Sequence, residues 1–489
     1  MVLGVSCALA ASARAESALK PGETLGPDTW QKAEKLLPPE ILAHYKAGEY
    51  VNPINDWPEN VFTWPTDFAA ASKANAGKYV LGPHNWQKAE KLLPPEILAH
   101  YKAGEYVNPI NAWPQDVFTW PTDFAAASKA NGGKYMIGPR GEIVEKATGK
   151  QPAWVLGFPF PTIDPKDPNA GAEILWNHLY RTWYFGNGSN ESQVNLVRSQ
   201  SLERRLDVLA LFSYFDGLPE NERPKENPQN FQAQELTVVR SPVDVNGTAA
   251  LSWRYRDPGK RVASWTFVPA LRRVRAISPA NRSDGFLGSD MCQDDGPFFT
   301  GKPEDFTWKV TGEVDQLRLV DPLNLEGKSG NEWLPGGGWR AIWPDMPFIG
   351  YMDPEWKGVA WAPRTAGLAQ RRFYVVEGVP KDRYYLFGKI ELYIDTVSFQ
   401  GAWNRKFDWK GELMSSFQVM GWNPQALKRP DGTIDFVQGS NQAYQTVEAV
   451  KLHRATVAGI KSSPKANFDG RITFRHGEFD LDSLSRFGK

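Results

Sequence analysis

The side chains best placed for chemistry in this chain sit at helical intervals. Glu173, Asn177 and Arg181 follow one another in steps of four, and His178 stands beside Asn177. On a helix, residues at this spacing share a face, so a polar ladder from carboxylate to guanidinium is sterically open. A histidine near a carboxylate is able to act as a general base or a metal ligand. A metal site needs more ligands, and no second histidine or His-Glu pair stands at ligand spacing here. The plainer expectation is that His178 anchors the helix through a hydrogen bond.

Other motifs fall short of a reaction. Asp290, Asp294 and Asp295 surround Cys292 in an acidic segment. A calcium site is imaginable there, but the odd-position ligands and terminal glutamate of an EF-hand are missing, so a solvated loop is expected. Leu334 to Trp339 is glycine-rich but lacks the Lys-Ser/Thr that completes a phosphate loop, and no Gly-x-Ser-x-Gly elbow occurs. Arg272-Arg273-Val274-Arg275 lies on an expected strand with Arg273 and Arg275 on one side. Those arginines meet either an anionic headgroup or acidic residues on a neighbouring strand. No catalytic residue, metal ligand or cofactor is assigned, and an enzyme is not expected.

The elements that would position these residues are mostly strands. Gln234–Arg240, Ala249–Arg256, Ala263–Phe267, Arg272–Ile277, Thr307–Val310, Phe373–Glu377, Lys389–Asp395 and Glu412–Val419 all read as β. In Lys389–Asp395, Ile390, Leu392 and Ile394 alternate onto one face, the pattern of a half-buried strand. Arg256-Asp257-Pro258-Gly259 and Asp408-Trp409-Lys410-Gly411 have turn composition, which favours antiparallel pairing. The one clear helix is Gly171–Trp183, where Ile174, Leu175, His178, Leu179 and Trp183 form a mostly apolar stripe. Asp321–Trp343 has no clear assignment beyond a loop at Pro335-Gly336-Gly337-Gly338. Aromatic content is 13%, including 20 Trp, which suits sheet and leaves some rings free to line a ligand surface.

The N-terminal third contains a tandem duplication. Pro27–Gly82 recurs as Pro83–Gly138, 56 residues later, with eight differences. Each copy opens with a helical stretch, Gln31–Tyr45 and Gln87–Tyr101, broken by Pro38-Pro39 or Pro94-Pro95, where one helix ends and another begins. Each then becomes extended and Trp-Pro-rich. Two units are too few for a solenoid. One copy is expected to pack on the main domain, leaving the other as a spare arm.

Lys plus Arg and Asp plus Glu both count 56, so no overall basic field draws nucleic acid. Val2–Ala13 is apolar or small, and Ala13-Arg14-Ala15 supplies a small-x-small cleavage pattern. Residues 1–15 therefore read as an export signal lacking its basic start, which an upstream initiation site would supply. No later run is long and apolar enough for a membrane helix. With Cys7 removed alongside the signal, Cys292 has no disulfide partner in the chain. The expected division is 1–15 signal, 16–140 duplicated region, and 141–489 main domain.

Several segments together resemble one family. Gly157-Phe158-Pro159-Phe160-Pro161 followed by Glu173…Trp176-Asn177-His178…Arg181 is similar to a signature of the domain-of-unknown-function 1329 family. So are Trp265…Arg272-Arg273-Val274-Arg275 and Asp290…Asp294-Asp295…Phe299-x-Gly301-x-Pro303…Phe306-x-Trp308. Arg371–Glu377, Tyr393-Ile394-Asp395 and Asp408–Leu413 also match, from about Gly141 to the C-terminus. Phe373 stands where the pattern has Cys, and the second repeat copy looks additional to the family plan.

The resemblance implies a periplasmic protein related in fold to the LolA/LolB lipoprotein carriers. That fold is mainly β: a strongly curved antiparallel sheet, an unclosed barrel, with flanking helices over an apolar concavity. It also implies a setting beside a resistance-nodulation-division exporter and an outer-membrane partner. The expected function is a carrier or chaperone for a hydrophobic small molecule or lipid, such as a lipoprotein acyl chain or sterol-like molecule. Candidate contacts are Trp176, His178, Arg181 and Trp183 on the helix, and Trp265, Phe267, Tyr374 and Tyr393 on strands. The alternatives are a glycan-binding or glycan-processing protein, or a structural adaptor of an envelope complex.

Overall fold

The computed structural model describes residues 80–111, 120–325, 329–343, 348–421, 444–459, 467–474 and 477–487, with short stretches between 24 and 53 and between 425 and 437. The expected export signal and the first copy's Trp-Pro stretch lie outside the described residues.

One 16-stranded sheet dominates. In chain order its strands are β1 Gly188–Arg198, β2 Ser201–Tyr214, β3 Phe231–Ser241, β4 Ala249–Tyr255, β5 Ala263–Val268 and β6 Arg273–Ile277. Then come β7 Phe306–Val320, β8 Gly330–Trp333, β9 Trp339–Ile342, β10 Gly367–Pro380, β11 Lys389–Asp395 and β12 Gly401–Phe407. The last are β13 Leu413–Val419, β14 Gln445–Ala449, β15 Arg454–Ala458 and β16 Asn467–Gly470. The main path runs β6-β5-β4-β3-β2-β1-β15-β14-β13-β12-β11-β10-β7, and β16, β9 and β8 branch from β1. Every pairing in it is antiparallel. Strands β6 and β7 end the path without meeting, so the sheet is not closed into a barrel.

Both faces are covered. Phe373, Val375 and Tyr393 alternate onto one side, in a cluster that also holds Leu317, Leu319 and Leu368 and packs with Leu92, Leu93, Ile97, Tyr101 and Tyr106 of the second repeat copy. Tyr374, Val376, Ile390, Leu392 and Ile394 take the opposite side, as period-two alternation requires, and pack under a central helix. Helices α1 (Pro95–Ala103), α2 (Thr122–Ala130), α3 (Ala170–Trp183) and α4 (Leu481–Phe487) complete the scaffold. The Pro-Pro pair behaves as the sequence reading expects. A short 3-10 turn, Trp86–Ala89, precedes it, and Pro95 opens α1 at a position where no amide hydrogen is needed.

The second copy is docked by polar contacts as well as apolar ones. Arg405 forms a bidentate pair with Glu96 (2.8 and 3.0 Å), and Asn108 donates to the carbonyls of Pro363 and Ala366. The short strand pair Val80–Leu81 with Asn108–Pro109 has a counterpart 56 residues earlier, Thr24–Leu25 with Asn52–Pro53. Lys46 sits over Trp30 as Lys102 sits over Trp86.

One expectation is corrected. The acidic segment is not a solvated loop: Asp294 and Asp295 are buried, paired with Arg282 and Lys406. Asp290 accepts from Arg454. These ion pairs hold residues 279–305 against the sheet, and Cys292 is buried among them, its thiol pKa pushed up by burial and Asp295. Arg273 and Arg275 lie exposed on the edge strand β6, and no acidic partner meets them among the described residues.

Candidate functional site

Helix α3 positions the candidate site, and glycine is what lets it lie where it does. A Cβ on Gly171 would fall 2.9 Å from the Lys309 amide nitrogen and 2.9 Å from Trp308 Cβ. The helix backbone therefore rests directly on β7. All residues of α3 except Glu173 are buried, so its two sides serve different layers.

One side carries Trp176 and Trp183, which pack with Tyr135, Val155, Phe160 and Tyr214. The Trp176 indole donates to the Gly141 carbonyl (2.9 Å), and Arg254 stacks over Trp183. The other side faces β7, β10 and β11. His178 Nδ1 donates to the Phe399 carbonyl (2.9 Å), and its ring meets Phe298 edge to face. Burial lowers the His178 pKa to about 4, so the ring is neutral and serves as an anchor. Asn177 does not join a ladder with Glu173 and Arg181. Its amide instead exchanges two hydrogen bonds with the backbone of Phe160 (3.1 and 2.7 Å).

Arg181 enters a cluster whose other members the sequence reading left without roles. Arg318 from β7, Arg371 from β10 and Asp395 from β11 are all buried beside it. Asp395 is saturated: Arg371 Nε and Nη2 donate to it at 2.6 and 3.0 Å, and the amides of Val397 and Ser398 at 3.0 and 2.7 Å. Burial alone would raise its carboxyl pKa, but Arg371 and Arg318 hold it below the usual range. Arg318 Nη2 donates to the Gly401 carbonyl (3.1 Å).

Around this cluster lies an aromatic layer drawn from separate segments. Trp120, Phe124 and Phe158 form close ring pairs, Phe158 meets Phe399 at 4.8 Å, and Phe399 stacks with Tyr374 at 6.5 Å. Gly401 leaves room for the Phe298 ring, which sits 2.1 Å from where a Cβ would be.

The candidate contacts are thus divided. His178, Arg181 and Tyr374 come together under α3, while Trp176 and Trp183 lie on its far side. Tyr393 is on the opposite sheet face, its hydroxyl donating to Glu391 (2.8 Å). Trp265 and Phe267 pack beneath Phe479 and Leu484 of the C-terminal segment. Arg318 was readable as a charge between Leu317 and Leu319, a polar break in a buried strand. Arg371 and Asp395 lie in family-like segments, but nothing local shows that they pair.

Trp409 is the one tryptophan that stands exposed among the described residues, so the tryptophans form no flat sugar-stacking row. Among those residues no group of His, Cys, Asp and Glu is placed to hold a metal, and no helix is long and apolar enough to cross a membrane.

Fold and site together define a mainly-β protein built on one open antiparallel sheet, with a buried helix across one face. The chain belongs to the family described as protein of unknown function (DUF1329), whose model matches residues 72–324. The match starts before the second repeat copy and includes it. That copy is therefore not the addition that the sequence comparison suggested. No curated protein matches the chain.

Three solved structures are similar in part. A putative outer membrane lipoprotein-sorting protein domain from Vibrio parahaemolyticus has TM-score 0.41 and 15% identity, covering 65% of this chain and 100% of its own. A DUF1329 family protein from Desulfovibrio piger has TM-score 0.40 and 16% identity, covering 66% and 99%. A LolA superfamily protein from Nitrosomonas europaea has TM-score 0.35 and 12% identity, covering 64% and 98%.

Proposed function

We propose that this protein is a non-enzymatic periplasmic carrier or chaperone that shelters a hydrophobic ligand, a lipid or acyl chain, against the sheet face beneath α3. The observation that carries the reading is the aromatic layer there. Trp120, Phe124, Phe158, Phe298 and Phe399 reach the sheet from loops and helices, leaving its strand pairing open. An acyl chain that takes the place of such contacts keeps the face dry, and each buried methylene contributes about 0.8 kcal/mol. His178, Arg181 and Tyr374 are the contacts we propose beneath α3, and Trp176 and Trp183 would act only from the far side of the helix. Trp265, Phe267 and Tyr393 would act only through the far sheet face or the C-terminal segment. The leader-like residues 1–15 support export, and an exporter or outer-membrane partner would supply or receive the cargo.

Solvent extraction of protein purified from a bacterial envelope, followed by mass spectrometry, tests the reading. A lipid retained at near one per chain is expected, with fluorescent fatty acyl or sterol probes competing for it. Protein that is consistently empty and binds neither probe type defeats it.

A further inference from the structure

We propose that Arg181 and Arg318 form a buried binding site for an oxyanion, a carboxylate or phosphate group. The geometry rests on an imbalance. Three guanidinium groups, Arg181, Arg318 and Arg371, lie beside a single carboxylate, Asp395, and each is at most 2% exposed. The Asp395 oxygens are taken by Arg371 and two backbone amides. Arg318 reaches one carbonyl, and its Nε has no acceptor. None of the three nitrogens of Arg181 has an acceptor at all.

A guanidinium presents five donors and stays charged, so burying it without an acceptor is among the costliest arrangements a fold contains. Burial and the neighbouring Arg318 push the Arg181 pKa down to about 9, and burial pushes that of Arg318 to about 10. Even so, both remain cations at neutral pH. An oxyanion accepts from planar donors in two-pronged fashion and would balance the excess charge. His178 is neutral beside them and does not compete for the anion.

The site stands whether or not the carrier reading does. If that reading holds, the site is where an amphipathic ligand's acidic headgroup would rest.

Urea unfolding of the full chain, dialysed free of oxyanions, measures the proposal because folding itself admits the ion. At matched chloride ionic strength, acetate, inorganic phosphate, octanoate and dodecyl phosphate are each titrated. An oxyanion at 100 times its Kd should stabilise the wild-type chain about a hundredfold in its folding constant. Arg181→Met should lose that response and be more stable than the wild type without oxyanion, since it removes an unpaired buried charge. Arg318→Met reads the second cation independently. A Met variant that responds as the wild type does overturns the site. So does a wild-type chain that ignores all four ions. Response to acetate and phosphate with no gain from the longer chains keeps the site but removes its link to lipid. Tighter binding of octanoate and dodecyl phosphate places a headgroup there.

Discussion

His100 Nε2 lies 2.8 Å from the Glu448 carboxylate, joining the second repeat copy to strand β14 across 348 residues of sequence. Glu105 holds the other ring nitrogen at 2.8 Å, and the ring stacks on Tyr106. Burial opposes charge on this histidine, but Glu448 and Glu105 outweigh it and raise the pKa above 6.5. The fold thus favours the imidazolium more than water does. Its stabilisation is complete below pH 6.5 and fades as pH rises through the folded value. In a chain lacking residues 27–82, His100→Gln should cost about 2 kcal/mol at pH 6 and less at pH 9, read by urea unfolding. A pH-independent cost would show that the ring is neutral.

His178 behaves in the opposite sense. Its folded pKa near 4 lies below the ordinary 6.5, so its contribution is present above pH 6.5 and declines as pH falls toward 4. The decline amounts to at most about 3 kcal/mol. His178→Asn keeps a donor for the Phe399 carbonyl and removes the titration. It should start less stable at pH 7, and the wild type's advantage should shrink as the pH drops to 4. Parallel acid limbs for the two proteins would contradict this.

Glu173 is the one residue of α3 that reaches water, and burial with Asp167 raises its pKa to about 7. Below pH 4.5 the fold tolerates it as the neutral acid, and above pH 7 the folded chain must hold a disfavoured carboxylate. Glu173→Gln should therefore be neutral at pH 4 and stabilising at pH 8, by about 1 kcal/mol once its partial exposure is allowed for. Thermal melting at the two pH values decides.

Gly171→Ala sets two effects against each other. Alanine favours a helix interior by about 1 kcal/mol over glycine. The added methyl would lie 2.9 Å from the Lys309 backbone nitrogen, however, and that strand is held by its pairing with β10. Overpacking should win, with a net loss of about 1–3 kcal/mol. A more stable variant would show that α3 is free to lift from β7.

What the sequence revealed followed how each element is buried. Lys389–Asp395 reads cleanly because its alternation is regular, and the structure gives the same bounds. The Asp257 and Asp408 turns are local, each aspartate accepting from amides two residues on, so composition finds them. Strand β7 runs to Val320, far beyond the expected Thr307–Val310, because from Gln316 to Val320 both its faces are buried and polar Gln316 and Arg318 break the pattern. The acidic segment misleads for a different reason. Lys406, the partner of Asp295, comes from a distant strand, and a carboxylate looks solvent-bound until its counter-charge is in place. The Arg181 cluster was hidden the same way, assembled from α3, β7, β10 and β11.

The docked repeat copy has a double. Glu96, His100, Tyr101, Tyr106 and Asn108 correspond to Glu40, His44, Tyr45, Tyr50 and Asn52, identical at each place. If the first copy can take the same place on the sheet, two segments of one polypeptide are eligible for it, which is redundancy in the engineer's sense. Damage to the resident copy would then be capped by the cost of exchanging it for the reserve, and each doubling of a tether costs only about 0.6 kcal/mol. His100→Gln in the full chain should then lose about 1 kcal/mol or less, against the larger loss expected when residues 27–82 are absent. A duplication that worked in this way would buffer the segment against mutation and leave the reserve copy free to diverge.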